Sequence, residues 1–150
     1  MRANPVTGDV DSDQATLAFK YHGLVGSAEY DLLVAEHYGD ALVGLGGNVE
    51  LGGAVWRSDA VFSWTDEDDV VSQFVTNLSY SWMWGGKNVN GLLEYYFNGF
   101  GQSDGCYSVT CLSDNLELVR RIARRQLFTL GRHYLAASAM IEVTPLFIFT

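Results

Sequence analysis

Hydrophobic and polar residues alternate along most of this chain, in stretches of roughly ten residues. The alternation is sharpest from Val71 to Trp84, where Phe74, Leu78, Tyr80, Trp82 and Trp84 fall on one side with Thr76, and most residues on the other side are small and polar. Successive side chains of a strand point to opposite faces of a sheet, so the pattern predicts a strand with one apolar and one polar face. About ten residues is also the length with which a tilted strand crosses a bilayer.

The same alternation predicts an all-β chain of seven strands plus the start of an eighth. Turn residues separate the strands, and Gly52-Gly53 is a strong signal for a two-residue hairpin. The predicted strands are Gln14 to His22, Ala28 to His37, Ala41 to Leu51, Ala54 to Thr65, Val71 to Trp84, Val89 to Asn98 and Tyr134 to Val143, and an eighth begins at Leu146.

Short turns follow the odd-numbered strands, and the two longest loops follow strands four and six. The first of these loops is the acidic run Asp66 to Asp69, and the second is residues 99–126. Within the second, Ser113 to Gln126 is the only helical signal, with Ser113 as the expected cap. The side chains expected on the apolar side of this helix are Leu116, Val119, Ile122 and Ala123.

Composition limits the classes of protein to consider. The 150 residues fit a single domain, with residues 1–13 as a terminal segment, and 48% of them are hydrophobic. A net charge of −9 argues against nucleic acid as a partner. Most of the basic residues are nevertheless concentrated in one stretch: Arg120, Arg121, Arg124, Arg125 and Arg132.

The two ends of the chain lead us to expect a fragment of a longer protein. Met1 to Pro5 is not followed by the apolar segment of a signal peptide. Leu146 to Thr150 stops inside a predicted strand, whose open edge a finished barrel would close.

From Gln14 to Thr150 the chain resembles the porin-like β-barrels of Gram-negative outer membranes. The resemblance rests on the alternation, on the asymmetry of the loops, and on aromatic side chains at both ends of the apolar face. It implies an incomplete antiparallel up-and-down transmembrane barrel in the bacterial outer membrane, in contact with lipid and lipopolysaccharide. The aromatic residues expected at the membrane interfaces are Trp56, Trp64, Tyr80, Trp82, Trp84, Tyr95 and Phe97.

Such a barrel implies passage of small solutes or a structural role in the membrane. Charged side chains on the polar face would line the water path and set charge selectivity, or would pair across strands within a wet interior. These are Lys20, Glu29, Asp31, Glu50, Arg57, Asp59, Glu94 and Glu142. The basic helix of the long loop, with Arg120, Arg121, Arg124 and Arg125, would enter the pore mouth, contact lipopolysaccharide, or form a solvated cover. Strand number, pore width, solute and oligomeric state stay open.

Cys106 and Cys111 lie close together in the long loop. In a protein outside the cytoplasm, that spacing predicts a local disulfide. Two free thiols are the alternative, and a zinc site is weaker because further ligands are lacking nearby.

Two other classes of function remain as alternatives. A soluble extracytoplasmic β-barrel or sandwich that binds a ligand shares the same period of two, but its water-facing strands would normally carry more Lys, Glu and Thr. An outer-membrane enzyme is the second, although His22, His37 and His133 have no nucleophile or metal-ligand spacing around them. We therefore predict no catalytic residues, cofactor or metal.

Overall fold

A computed structural model describes residues 16–37, 39–65, 69–144 and 147–149. They form one antiparallel sheet in which the strands follow chain order, and no pairing closes the sheet. The prediction of an all-β fold is confirmed, whereas residues 1–13 and Asp66 to Asp68 lie outside the described residues. The strands are β1 Thr16–Val25, β2 Ala28–His37, β3 Asp40–Leu51, β4 Ala54–Trp64, β5 Val70–Trp84, β6 Lys87–Asn98, β7 His133–Thr144 and β8 Phe147–Phe149.

At one end of the sheet, which we call the turn rim, tight turns containing glycine join β1 to β2, β3 to β4 and β5 to β6. Gly52 and Gly53 between β3 and β4 have φ values of 59° and 93°, a region that favours glycine. The first strand differs most from its prediction, because it continues through Gly23 to Val25. The Tyr30 ring of β2 lies over the space that a side chain at residue 23 would occupy, so glycine fits inside this strand.

The strands are staggered along the sheet. Glu29 lies one residue from the turn before β2, whereas Glu94, level with it on β6, lies seven residues from the turn before β6. The strand ends therefore shift by six positions over the four inter-strand spacings from β2 to β6. With a rise of about 3.4 Å per residue and about 4.8 Å between strands, this shift corresponds to a tilt of about 45°. Strands of closed barrels tilt by a similar angle.

The connection between β6 and β7, residues 99–132, lies at the opposite end of the sheet, the loop rim. It contains two short helices, α1 Val109–Ser113 and α2 Leu116–Ala123, rather than the single one predicted. Asn115, not Ser113, caps α2, since its side-chain oxygen accepts a hydrogen bond from the Leu118 amide. No helix in the described part of the chain is both long and apolar enough to cross a membrane.

Candidate functional site: two opposite faces and a covered rim

One face of the sheet, the apolar face, is lined almost throughout by hydrophobic side chains. The strand register places all seven aromatic residues selected from the sequence on it: Trp56, Trp64, Tyr80, Trp82, Trp84, Tyr95 and Phe97. Nothing in the described part of the chain packs over this face, so Leu17 of β1 and Leu135 of β7 are 79% and 74% exposed. A soluble monomer rarely leaves so large a continuous apolar surface open to water.

Aromatic side chains form a band near each end of the apolar face. At the turn rim, the rings of Tyr80 and Trp82 stack with centroids 5.8 Å apart. At the loop rim, the Tyr95 hydroxyl bonds to His133 Nδ1 at 2.8 Å, beside the Phe97 ring. The two bands are ten residues apart on β6, from Lys87 opposite Trp84 to Phe97. At the tilt derived above, ten residues rise by about 25 Å, the height of the apolar band of a transmembrane barrel.

The opposite face, the polar face, carries all eight charged residues selected from the sequence: Lys20, Glu29, Asp31, Glu50, Arg57, Asp59, Glu94 and Glu142. Five polar residues stand directly side by side across five strands, in the order Glu29, Asn48, Arg57, Asn77 and Glu94. Six of the eight are acidic and two are basic, so these eight side chains together carry a net negative charge.

Several of these charges have partners on neighbouring strands. Asp31 Oδ1 accepts from Lys20 Nζ at 3.1 Å and lies 3.0 Å from His22 Nδ1. Glu29 accepts from the Asn48 amide at 2.7 Å. Since these groups are exposed or half-exposed, the pairs orient the side chains and add little to stability.

Residues 99–132 fold over the polar face at the loop rim, and we call this segment the cover. Phe100, Leu118 and Leu127 form its buried core, which packs against Val71 of β5. The strand residues beneath it are buried: Ser63 is 1% exposed and Asn98 is 0% exposed. The apolar face at the same level stays open, so the cover belongs to the polar face alone.

Arg121 fixes the cover to the sheet. Its Nη2 donates to Asp40 Oδ2 at 2.5 Å and its Nε to Glu117 Oε1 at 2.7 Å, and the side chains of Arg121 and Asp40 are only 6% and 7% exposed. The guanidinium also lies 4.0 Å from the centroid of the Phe100 ring. Arg121 is therefore a buried structural residue and not one of a uniform row of basic side chains.

The other predicted basic residues are exposed but differ in position. Arg120 lies within α2, Arg124 caps its C-terminus, and Arg125 follows with a φ of 61°. The expected apolar side of the helix is also wrong in part, because Leu116 and Val119 are exposed while Leu118 is buried. Residues 118, 121 and 122 of α2 face the sheet. The contacts that the sheet offers, such as Asp40 for Arg121, determine which side of this helix is buried, and the distribution of apolar residues around the helix does not.

The predicted disulfide is present between Cys106 and Cys111. Ser108, between them, caps α1 by accepting a hydrogen bond from the Cys111 amide. The carbonyl of Cys111 accepts a 2.9 Å bond from the Gln102 side chain, and Gln102 pairs with Gly131 next to β7. The disulfide ring is thus linked to the base of the cover.

Sequence reasoning missed Asp40, which it assigned to a turn, and the role of Glu117 and Phe100 around Arg121.

His133 bonds to Tyr95 on the apolar face, and His37 Nδ1 lies 2.5 Å from the Thr16 hydroxyl. Within the described ranges, no three His, Cys, Asp or Glu side chains are grouped so that they could hold a metal ion.

Comparison with known proteins gives no relative. No protein-family model, no characterised protein and no solved structure matches the chain. The argument for function therefore depends on the geometry of the two faces.

Proposed function

We propose that the sheet is part of the wall of a transmembrane β-barrel in a bacterial outer membrane, and that small solutes pass along its polar face. The observation that carries this proposal is that the aromatic side chains lie on one, exposed face while nearly all charged side chains of the strands lie on the other. In a bilayer, lipid tails cover such a face without any protein partner.

The stagger of the strands supports the same proposal. A tilt of about 45° and aromatic bands about 25 Å apart fit a barrel wall spanning the hydrocarbon layer, with the rings at its two interfaces. Among the described positions of the apolar face, the acidic or basic residues are Glu36, Lys87 and His133, and all three lie near strand ends. That placement keeps formal charge away from the middle of the membrane.

The polar face supplies the water path. Its side chains offer hydrogen bonds and charge to hydrated solutes, and the surplus of acids favours cations over anions along the wall. The cover lies on this side and would narrow the entrance at the loop rim. The described residues of the polar face show no recognition chemistry for one particular solute, so the proposal is passage of small hydrophilic solutes.

Conductance across planar bilayers tests the proposal. The protein is refolded with detergent and added to one chamber, and the expected result is discrete current steps at constant voltage. If the protein inserts into the bilayer but carries no current, the passage of solutes is contradicted, and a structural role in the membrane is the interpretation that is left. Folding of the sheet in detergent-free buffer, without insertion, would contradict the membrane location as well.

A further inference from the structure

We propose that the ion pair between Asp40 and Arg121 is a latch that holds the cover across the entrance and thereby sets the size limit for solutes. This inference rests on the proposed function. In it, Asp40 and Arg121 are positioning residues, because they act through the cover and do not touch the solute.

The position of the pair gives it this role. The cover is attached covalently to β6 and β7, whereas Asp40 is the first residue of β3, three strands away from β6. The bond from Arg121 to Asp40 therefore ties the cover to the sheet far from its own attachment points. Without that bond, the helical part of the cover loses its buried ionic contact with β3, while its apolar core still packs against Val71 of β5.

Because of the surroundings of the pair, water cannot easily solvate Asp40 or Arg121 if the ion pair is broken. Both side chains are almost fully buried, and Glu117 and Phe100 occupy two further sides of the guanidinium. Removing one partner of a buried ion pair leaves an uncompensated charge, which is strongly destabilising. The cover should then open, because only its docked state requires Asp40 and Arg121 to be buried.

Single-channel recording with neutral polymers of graded size tests the latch. The variants are Asp40→Asn, which keeps the shape of the side chain, and Arg121→Gln, which removes the guanidinium, together with the double variant. We expect each single variant to raise the conductance and to admit larger polymers. Because both changes remove the same ion pair, the double variant should do no more than the worse single variant.

Arg120→Gln is the matched control, since Arg120 lies on the same helix but is exposed. Its conductance and size limit should equal those of the unaltered protein. An unchanged limit in Asp40→Asn and Arg121→Gln, or an equal change in Arg120→Gln, would overturn the latch.

Amide hydrogen exchange of residues 116–123 separates failure of the latch from failure of the proposed function, because it needs no pore. Loss of the pair should speed exchange there by about a hundredfold, while β5 stays protected. If the unaltered protein conducts no current, passage is wrong, and the exchange rates still decide whether the pair holds the cover. Unchanged exchange in the latch variants would contradict the latch with or without conductance. The Asp40→Asn change also guards against loss of folding, since Asn keeps the shape of Asp and an acceptor oxygen.

Discussion

Leu92 and Leu93 offer a matched test of which face of the sheet meets lipid. They are the sixth and seventh residues of the twelve in β6, so both lie at mid-height. Leu92 is 40% exposed on the polar face between Ser79 and Ser138, and Leu93 is 50% exposed on the apolar face between Leu78 and Ala137. Each is replaced by arginine, so that residue type, strand and depth are shared and only the face differs.

The expected destabilisation follows from what each side chain contacts. An arginine facing lipid at the midplane of a barrel costs about 2–4 kcal/mol. An arginine at an exposed position in water changes stability by no more than about 0.5 kcal/mol. We therefore expect Leu93→Arg to lower the free energy of unfolding by at least about 1.5 kcal/mol more than Leu92→Arg does.

Equilibrium unfolding by guanidinium in lipid vesicles, followed by tryptophan emission, measures this difference. The denaturant slope should stay the same in the two variants, since neither change alters the surface exposed on unfolding. Equal destabilisation by the two substitutions would refute the assignment of the apolar face to lipid, and a larger loss in Leu92→Arg would reverse it.

Three further predictions concern the rims. Replacing Glu29 and Glu50 by Gln should lower the preference for cations, measured as the reversal potential in a salt gradient; an unchanged potential would remove both residues from the water path. Gly53→Ala should destabilise the β3–β4 hairpin by about 1–2 kcal/mol, because Gly53 has a φ of 93°, and unaltered unfolding would contradict this. Changing Cys106 and Cys111 to Ser should lower protection of the cover by about 2 kcal/mol, by loss of a small closed ring, with amide exchange in α1 as the measurement; equal exchange would show that the ring does not brace the cover.

The faces of the strands could be predicted because the side-chain period of a strand is two. Once one residue of a strand is placed, its neighbours follow, and the register between strands carries that assignment across the sheet. Trp56 on β4 and Leu78 on β5 illustrate this, since alternation alone placed both on the apolar side and they are directly paired. Strand ends were less predictable, as at Gly23, where a neighbouring ring decides whether glycine continues the strand.

The cover could not be predicted in the same way. Asp40 and Arg121 are separated by 81 positions, and no local pattern connects them. An eight-residue helix such as α2 has too few apolar positions to define its packing side, so Leu118 was missed and Leu116 was chosen wrongly. The contacts offered by the sheet decide which side of the helix is buried.

Tryptophan quenching tests the central claim, that the apolar face meets lipid, most directly. All four tryptophans of the chain lie on that face: Trp56, Trp64, Trp82 and Trp84. Intrinsic emission therefore reports on the apolar face alone. The protein is refolded into vesicles whose acyl chains carry bromine, and iodide is added to the water in a parallel sample. We predict that bromine quenches most of the emission and iodide little of it; strong quenching by iodide with little effect of bromine would contradict the claim.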